Sequence, residues 1–179
     1  MTTTPLSPDA ALNIAILTVS DSRSLEQDKA GQYLQEKLLS DGHKLSQRLL
    51  LPRNRYLIRA QVSTWIVSTD VQVILINGGT GFHADDCTPE AVSVLFDREV
   101  AGFGELFRQL SFQDIGPSAL QSRALAGLAN HTLICCLPGS VNACTTAWQQ
   151  LIAPQLDARQ GKCNFLGHLN VTPLCEQRP

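Results

Sequence analysis

Three short runs in this sequence are apolar at nearly every position: LNIAILTVS from Leu12, VQVILIN from Val71, and HTLICCLPGS from His131. A strand with one wet face alternates apolar and polar residues, so a strand apolar throughout is covered on both faces, as in a parallel sheet flanked by helices. Between these runs the apolar period changes. DKAGQYLQEKLLSDG sets Ala30, Tyr33, Leu34 and Leu38 on one helical face and stops at Gly42. KLSQRLLLP reads as a further strand, and from Asn54 onward Ile58, Val62, Trp65, Ile66 and Thr69 follow helical spacing. Alternating strands and helices stack βα units around a mostly parallel sheet, so the expected fold class is α/β. Thr88-Pro89-Glu90 reads as a helix start, with the threonine oxygen accepting an orphan N–H and proline fitting the first turn. The stretch from Asp97 to Asn130 mixes Phe103, Phe107, Leu110 and Phe112 with Gly102, Gly104 and Gly116, which predicts helical pieces broken by turns.

At 179 residues the chain suits one domain, expected over residues 13–170, with a loosely held segment over 1–12 and a tail over 171–179. A net charge of -2, with 17% charged residues, provides no electrostatic pull toward nucleic acid. The amino terminus lacks a basic start and an apolar core of signal-peptide length, and no apolar run approaches the roughly 20 residues that span a bilayer. A cytoplasmic protein with no membrane partner is expected. Cys87, Cys135, Cys136, Cys144, Cys163 and Cys175 form no C-x-x-C pair, and His43, His83, His131 and His168 lack ligand spacing; buried or incidental thiols and no histidine metal site are expected.

Chemistry concentrates in GGTGFHADDCTPEA, which follows the third strand. Gly78, Gly79 and Gly81 permit positive φ and bring backbone N–H groups close to a ligand, a cradle for phosphate. Neither G-x-x-x-x-G-K-[ST] nor G-x-G-x-x-G is present, so a plain sharp turn remains the alternative. Asp85 and Asp86 come next, and an ionised carboxylate beside a polyphosphate is unfavourable unless a cation lies between. Magnesium, which binds through one or two carboxylates and substrate phosphates, resolves that conflict, so a glycine cradle followed by Asp85 and Asp86 suggests a metal-nucleotide site. The plainer reading has the aspartates capping the next helix or facing water. Ser20 and Asp21 end the first strand, at the sheet edge where α/β proteins bind ligands, although SDS before a helix is also ordinary capping chemistry.

Taken together, VSDSRSLEQDKAGQYL, GGTGFHADDCTPEA and LPGSVNACTTAWQQLIAPQLDA resemble the MoaB/MogA family of molybdenum cofactor biosynthesis proteins over roughly residues 13–159. LFDREVAGFGELFR, LQSRALAGLAN and PQLDARQGKCNF look more like its MoaB branch. The resemblance implies a three-layer α/β/α sandwich with a mostly parallel sheet, assembled as a homo-oligomer, trimer or hexamer. It implies binding of molybdopterin and Mg-ATP, with AMP transferred to the molybdopterin phosphate and pyrophosphate released. On that reading Gly78, Gly79, Thr80 and Gly81 cradle nucleotide phosphates, Ser20 and Asp21 line the nucleotide end, and Asp86 is the catalytic residue that serves Mg2+ and adenylyl transfer. Pro138, Gly139 and Ser140 hold the pterin and its phosphate. Asp28 and Gly31 match a further family pattern, but an aspartate opening a helix is most simply a cap.

The chain also departs from the family. Competent MogA-like members carry a second acid after the second strand, in a Pro-Asp-Glu stretch, where this chain has Arg53 and Asn54. Arg53 could contact phosphate directly, or its presence could abolish adenylyl transfer. A molybdopterin-binding or carrier protein with little transferase activity is therefore the alternative function, and a purely oligomeric scaffold a third.

Overall fold

The structure, a computed structural model, describes residues 11–160 and 163–169. The loosely held ends expected from the sequence fall almost wholly outside those residues, as does Cys175.

The α/β expectation holds, with the three-layer sandwich in place. Six strands, β1 (Asn13–Val19), β2 (Lys44–Leu51), β3 (Val73–Asn77), β4 (Arg98–Glu99), β5 (Leu125–Ala129) and β6 (Thr132–Leu137), form one sheet ordered β2-β1-β3-β6-β5-β4. The first four strands in that order are parallel; β5 runs antiparallel to β6, and β4 to β5. Because side chains alternate across a strand, each apolar run feeds two cores. Ile14, Ile16, Leu75, Cys135 and Leu137 pack on α1 (Lys29–Ser40), α4 (Ala101–Ile115) and α5 (Val141–Ala147). Ala15, Leu17, Ile74, Ile76, Ile134 and Cys136 pack on α2 (Arg55–Val67) and α3 (Thr88–Val92). The adjacent Cys135 and Cys136 thus belong to opposite faces. Cys87 and Cys144 are buried as well, whereas Cys163 is exposed.

α1 and α2 bury Ala30, Leu34 and Leu38 in one and Ile58, Val62 and Trp65 in the other, as expected, but α2 ends at Val67 and leaves Thr69 outside it and exposed. Asn54 caps α2, its side chain accepting from the N–H groups of Tyr56 and Leu57. The stretch from Asp97 to Asn130 differs from expectation. α4 runs unbroken through Gly102 and Gly104 to Gly116. Gly104 sits where the helix approaches β5, since a Cβ there would lie 2.7 Å from the Ala124 carbonyl oxygen. β5 and β6 form a hairpin through a two-residue loop, Asn130 and His131, both at positive φ (45° and 61°), the conformation that matches strand twist.

The loop after β1 is pinned from below. Asp28, fully buried, accepts from the Gly31 N–H (2.9 Å) and from the Thr18 hydroxyl (2.5 Å). It also pairs with Arg48 at 3.0 Å. Arg48 in turn donates to the carbonyl oxygens of Leu25 and Asp28. Gly31 is required here, because a Cβ would lie 2.0 Å from Asp28 Oδ2. Asp28 is therefore the helix cap read from the sequence, and also the anchor of the loop that carries Asp21. Removing one partner of a buried ion pair strands the other charge, so Asp28→Ala is expected to cost about 3–5 kcal/mol by urea unfolding. A loss below about 1 kcal/mol would show that the network does not hold the loop.

Candidate functional site

The turns after β1, β3 and β6 meet at the carboxyl edge of the parallel strands. The chain leaves β1 for β2 on one side and returns to β3 on the other, so β1 and β3 flank the point where strand order reverses, the usual ligand crevice of α/β sheets. Backbone packs on backbone here. Gly78 has φ 95°, and a Cβ on it would lie 2.4 Å from the Val19 carbonyl oxygen. Gly78 N–H donates to Leu137 O at 3.0 Å, and a Cβ on Gly139 would lie 3.1 Å from Gly78 Cα. Arg23 closes the third side by donating to Gly139 O at 3.2 Å. The turns that carry Ser20, Asp21, Gly78 to Gly81 and Pro138 to Ser140 are thus brought together.

The glycine turn shows which of its groups are free. Thr88 is not the α3 cap expected from the sequence: it is the first residue of that helix, Cys87 holds the cap position, and no side chain caps there. The Thr88 hydroxyl instead donates to Gly78 O (2.8 Å) and its N–H to Gly79 O (3.0 Å). With both glycine carbonyls turned toward α3, the N–H groups of Gly79, Thr80 and Gly81 donate to no group among the described residues. Successive unpaired N–H groups beside a positive-φ glycine make an anion-binding concavity. Gly79 has φ 63°, while Gly81 does not take positive φ; a Cβ at Gly81 would lie 2.6 Å from Asp86 Oδ2.

Asp86 therefore stands against the turn. Its Oδ2 accepts from the His83 N–H at 3.2 Å, and its Oδ1 lies 3.7 Å from Arg53 Nη1. Asp21 is no helix cap: its Oδ1 accepts from the Arg53 N–H at 2.9 Å, and its Oδ2 lies 3.3 Å from Arg53 Nε. One guanidinium thus bridges both carboxylates. Asp85 is exposed and lies beside the His83 ring. No group of three His, Cys, Asp or Glu side chains among the described residues gathers as a metal-ligand set. A divalent ion held between Asp21 and Asp86 would have to displace Arg53, so the residues as they stand do not fit a protein-held magnesium.

Ser20 and Ser140 lie at the mouth with hydroxyls already engaged. Ser20 Oγ accepts from the Ser22 N–H, and Ser140 caps α5 by accepting from the Ala143 N–H. Burial pushes the Cys87 thiol up, and although Arg55 pulls the other way, the net shift keeps it protonated and unsuited to nucleophilic work. Sequence reasoning missed Arg123, which clasps the turn. Its Nε donates to Thr80 O at 3.2 Å and its Nη2 to Asp86 O at 3.1 Å, Nη1 pairs with Glu90, and the guanidinium lies over the Phe82 ring. Only an isolated basic residue in an apolar stretch signalled it. A cavity of about 580 Å³ lined by Asp41, His43 and Asp157 lies at the opposite, amino-terminal edge of the strands and is separate from this site.

The family model described as "probable molybdopterin binding domain" matches residues 15–158. Molybdenum cofactor biosynthesis protein B of Escherichia coli (strain K12) is 59% identical over 156 residues, covering 87% of this chain and 92% of that one. A crystal structure of molybdenum cofactor biosynthesis protein B aligns with a TM-score of 0.81 at 42% identity, covering 84% of this chain and 93% of that one. The tungsten cofactor synthesizing protein MoaB from Pyrococcus furiosus aligns with a TM-score of 0.73 at 28% identity, covering 82% and 93%. The matched span runs from within β1, through the glycine turn and Asp86, to the end of the last core helix, and on that span the chain belongs to the MoaB/MogA family of molybdenum cofactor biosynthesis proteins.

Proposed function

We propose that this chain binds molybdopterin, taking its terminal phosphate on the unpaired N–H groups of Gly79, Thr80 and Gly81. Pro138, Gly139 and Ser140 flank the ligand on one side, and Ser20 and Asp21 on the other. The observation that carries this reading is the turn itself, whose carbonyls are tied to Thr88 and whose N–H groups are left for an anion. N–H donors to a phosphate form charge-assisted bonds roughly twice as strong as neutral ones. The family description and the relatives named for molybdenum and tungsten cofactor synthesis support the same ligand.

A second reading is adenylyl transfer, in which a molybdopterin phosphate oxygen attacks the α-phosphorus of ATP and the bond to pyrophosphate breaks. Asp86 beside Gly81 favours it. Arg53 between Asp21 and Asp86 weighs against it, because the acids that would serve Mg-ATP already share its guanidinium. We take binding without turnover as the conclusion. A homo-oligomer, trimer or hexamer, belongs to the same reading: of the phenylalanines that could serve core or interface, Phe103 and Phe107 are buried, but Phe112 is exposed with Leu106, Ile115 and Leu120.

The purified chain, incubated with molybdopterin, ATP and Mg2+, is expected to bind the pterin and release no pyrophosphate. Absence of binding up to about 100 μM would discard the proposal, and catalytic pyrophosphate release would select the second reading. Arg123→Ala frees the turn without removing a ligand contact. Hydrogen exchange at residues 80–86 should rise, and molybdopterin affinity should fall on the order of tenfold. Unchanged exchange there would show that Arg123 does not hold the turn. Sedimentation should give a mass above one chain, lowered in Phe112→Glu; a monomeric wild type would exclude this surface as an interface.

A further inference from the structure

We propose that Arg53 takes the place of a divalent cation at this site, so that the phosphate of the ligand is held without metal. This deepens the molybdopterin-binding reading and rests on it. The geometry leaves each carboxylate one oxygen for a cation. Asp21 Oδ1 is taken by the Arg53 N–H and Asp86 Oδ2 by the His83 N–H. The two remaining oxygens, Asp21 Oδ2 and Asp86 Oδ1, both face the Arg53 guanidinium, at 3.3 Å and 3.7 Å. A magnesium ion needs oxygens at about 2.0–2.1 Å and tolerates no cation beside it unshielded. Ion and guanidinium thus compete for one position, and the guanidinium is covalently tethered there.

The tether is built into the sheet. β1 and β2 pair in parallel with Val19 opposite Leu51, and the Ser20 N–H extends the ladder to Leu51 O. That register sets the residue two beyond the end of β1, Asp21, against the residue two beyond the end of β2, Arg53. The Arg53 side chain is 30% exposed and meets Asp21 and Asp86 at 3.3 Å and 3.7 Å, so the five-donor guanidinium keeps donors for an incoming phosphate. Arginine suits this because its planar fork matches phosphate oxygens and it stays charged at every physiological pH.

A titration with Mn2+ alone, followed by its electron paramagnetic resonance signal, tests the substitution of cation by side chain. The wild-type chain should leave Mn2+ free up to about 1 mM. Arg53→Asp should bind about one Mn2+ per chain, and adding Asp86→Ala should abolish that binding; circular dichroism and Arg53→Lys, which keeps the charge, control for folding. Tight Mn2+ binding by the wild type, or none by a folded Arg53→Asp, would overturn the proposal. With molybdopterin as probe, chelator should change wild-type affinity by less than about twofold, while Arg53→Ala weakens it on the order of tenfold. Strong dependence of wild-type affinity on Mg2+ would also overturn it. If molybdopterin binds neither chain, the functional reading falls, and the Mn2+ titration still decides the role of Arg53.

Discussion

Three strand ends meet in this protein with no side chain between them. Gly78 lies so close to the Val19 carbonyl, and Gly139 to Gly78, that a methyl group at either position would collide with backbone or force it apart. Everything else at the carboxyl edge follows from that approach. The turns after β1, β3 and β6 can share one small space only because glycine supplies both the positive φ and the missing Cβ. Once the turn is fixed, Thr88 takes its two carbonyls, Arg123 takes the carbonyls of Thr80 and Asp86, and the donors face the other way. The site is made of backbone, and the side chains around it mainly aim that backbone.

How much of this could be read from the sequence depends on whether the determining contact is local. β1, β2, β3 and β6 were legible because burial on one or both sheet faces leaves apolar runs. β5 was not. Leu125–Ala129 is short and contains Gly127, against which the Phe96 ring packs so closely that a Cβ would lie 2.3 Å from it. Its hairpin turns on Asn130-His131 in place of the Asn-Gly that announces such turns. α4 looked broken because glycine disfavours a helix interior, yet Gly104 serves close packing against β5, and tertiary contact overrode propensity.

The same division holds within the site. The glycine turn and Asp86 lie within one short segment and could be read together. Thr88 looked like a cap because threonine before proline commonly is one, but a carbonyl ten residues earlier competes for its hydroxyl and wins. The bridge from Asp21 through Arg53 to Asp86 joins three loops, and its existence depends on the β1–β2 register. Sequence could show that an expected acid was replaced by a base, but not that the base would settle between two other acids. Arg123 lay hidden for a similar reason, since its partners are more than thirty residues away.

A tethered guanidinium and a bound magnesium ion perform different work on a phosphate. The ion carries twice the charge and can be shared between protein and a polyphosphate, so it travels with the substrate and screens charge as bonds break. The guanidinium carries one charge, remains attached to its own backbone, and must also answer Asp21 and Asp86, leaving that trio at a net charge of about -1 at neutral pH. That trio remains net anionic, so a single phosphate group can be held by the backbone N–H donors and the outward side of the guanidinium, not by the charge of the cluster. The trio is poorly balanced for a triphosphate, whose added negative charge would meet two carboxylates with a single cation between them. Arg53, standing between the two acids in place of an ion as proposed, supplies one fixed positive charge where a shared cation would otherwise sit, and that favours retaining a phosphorylated ligand over activating it.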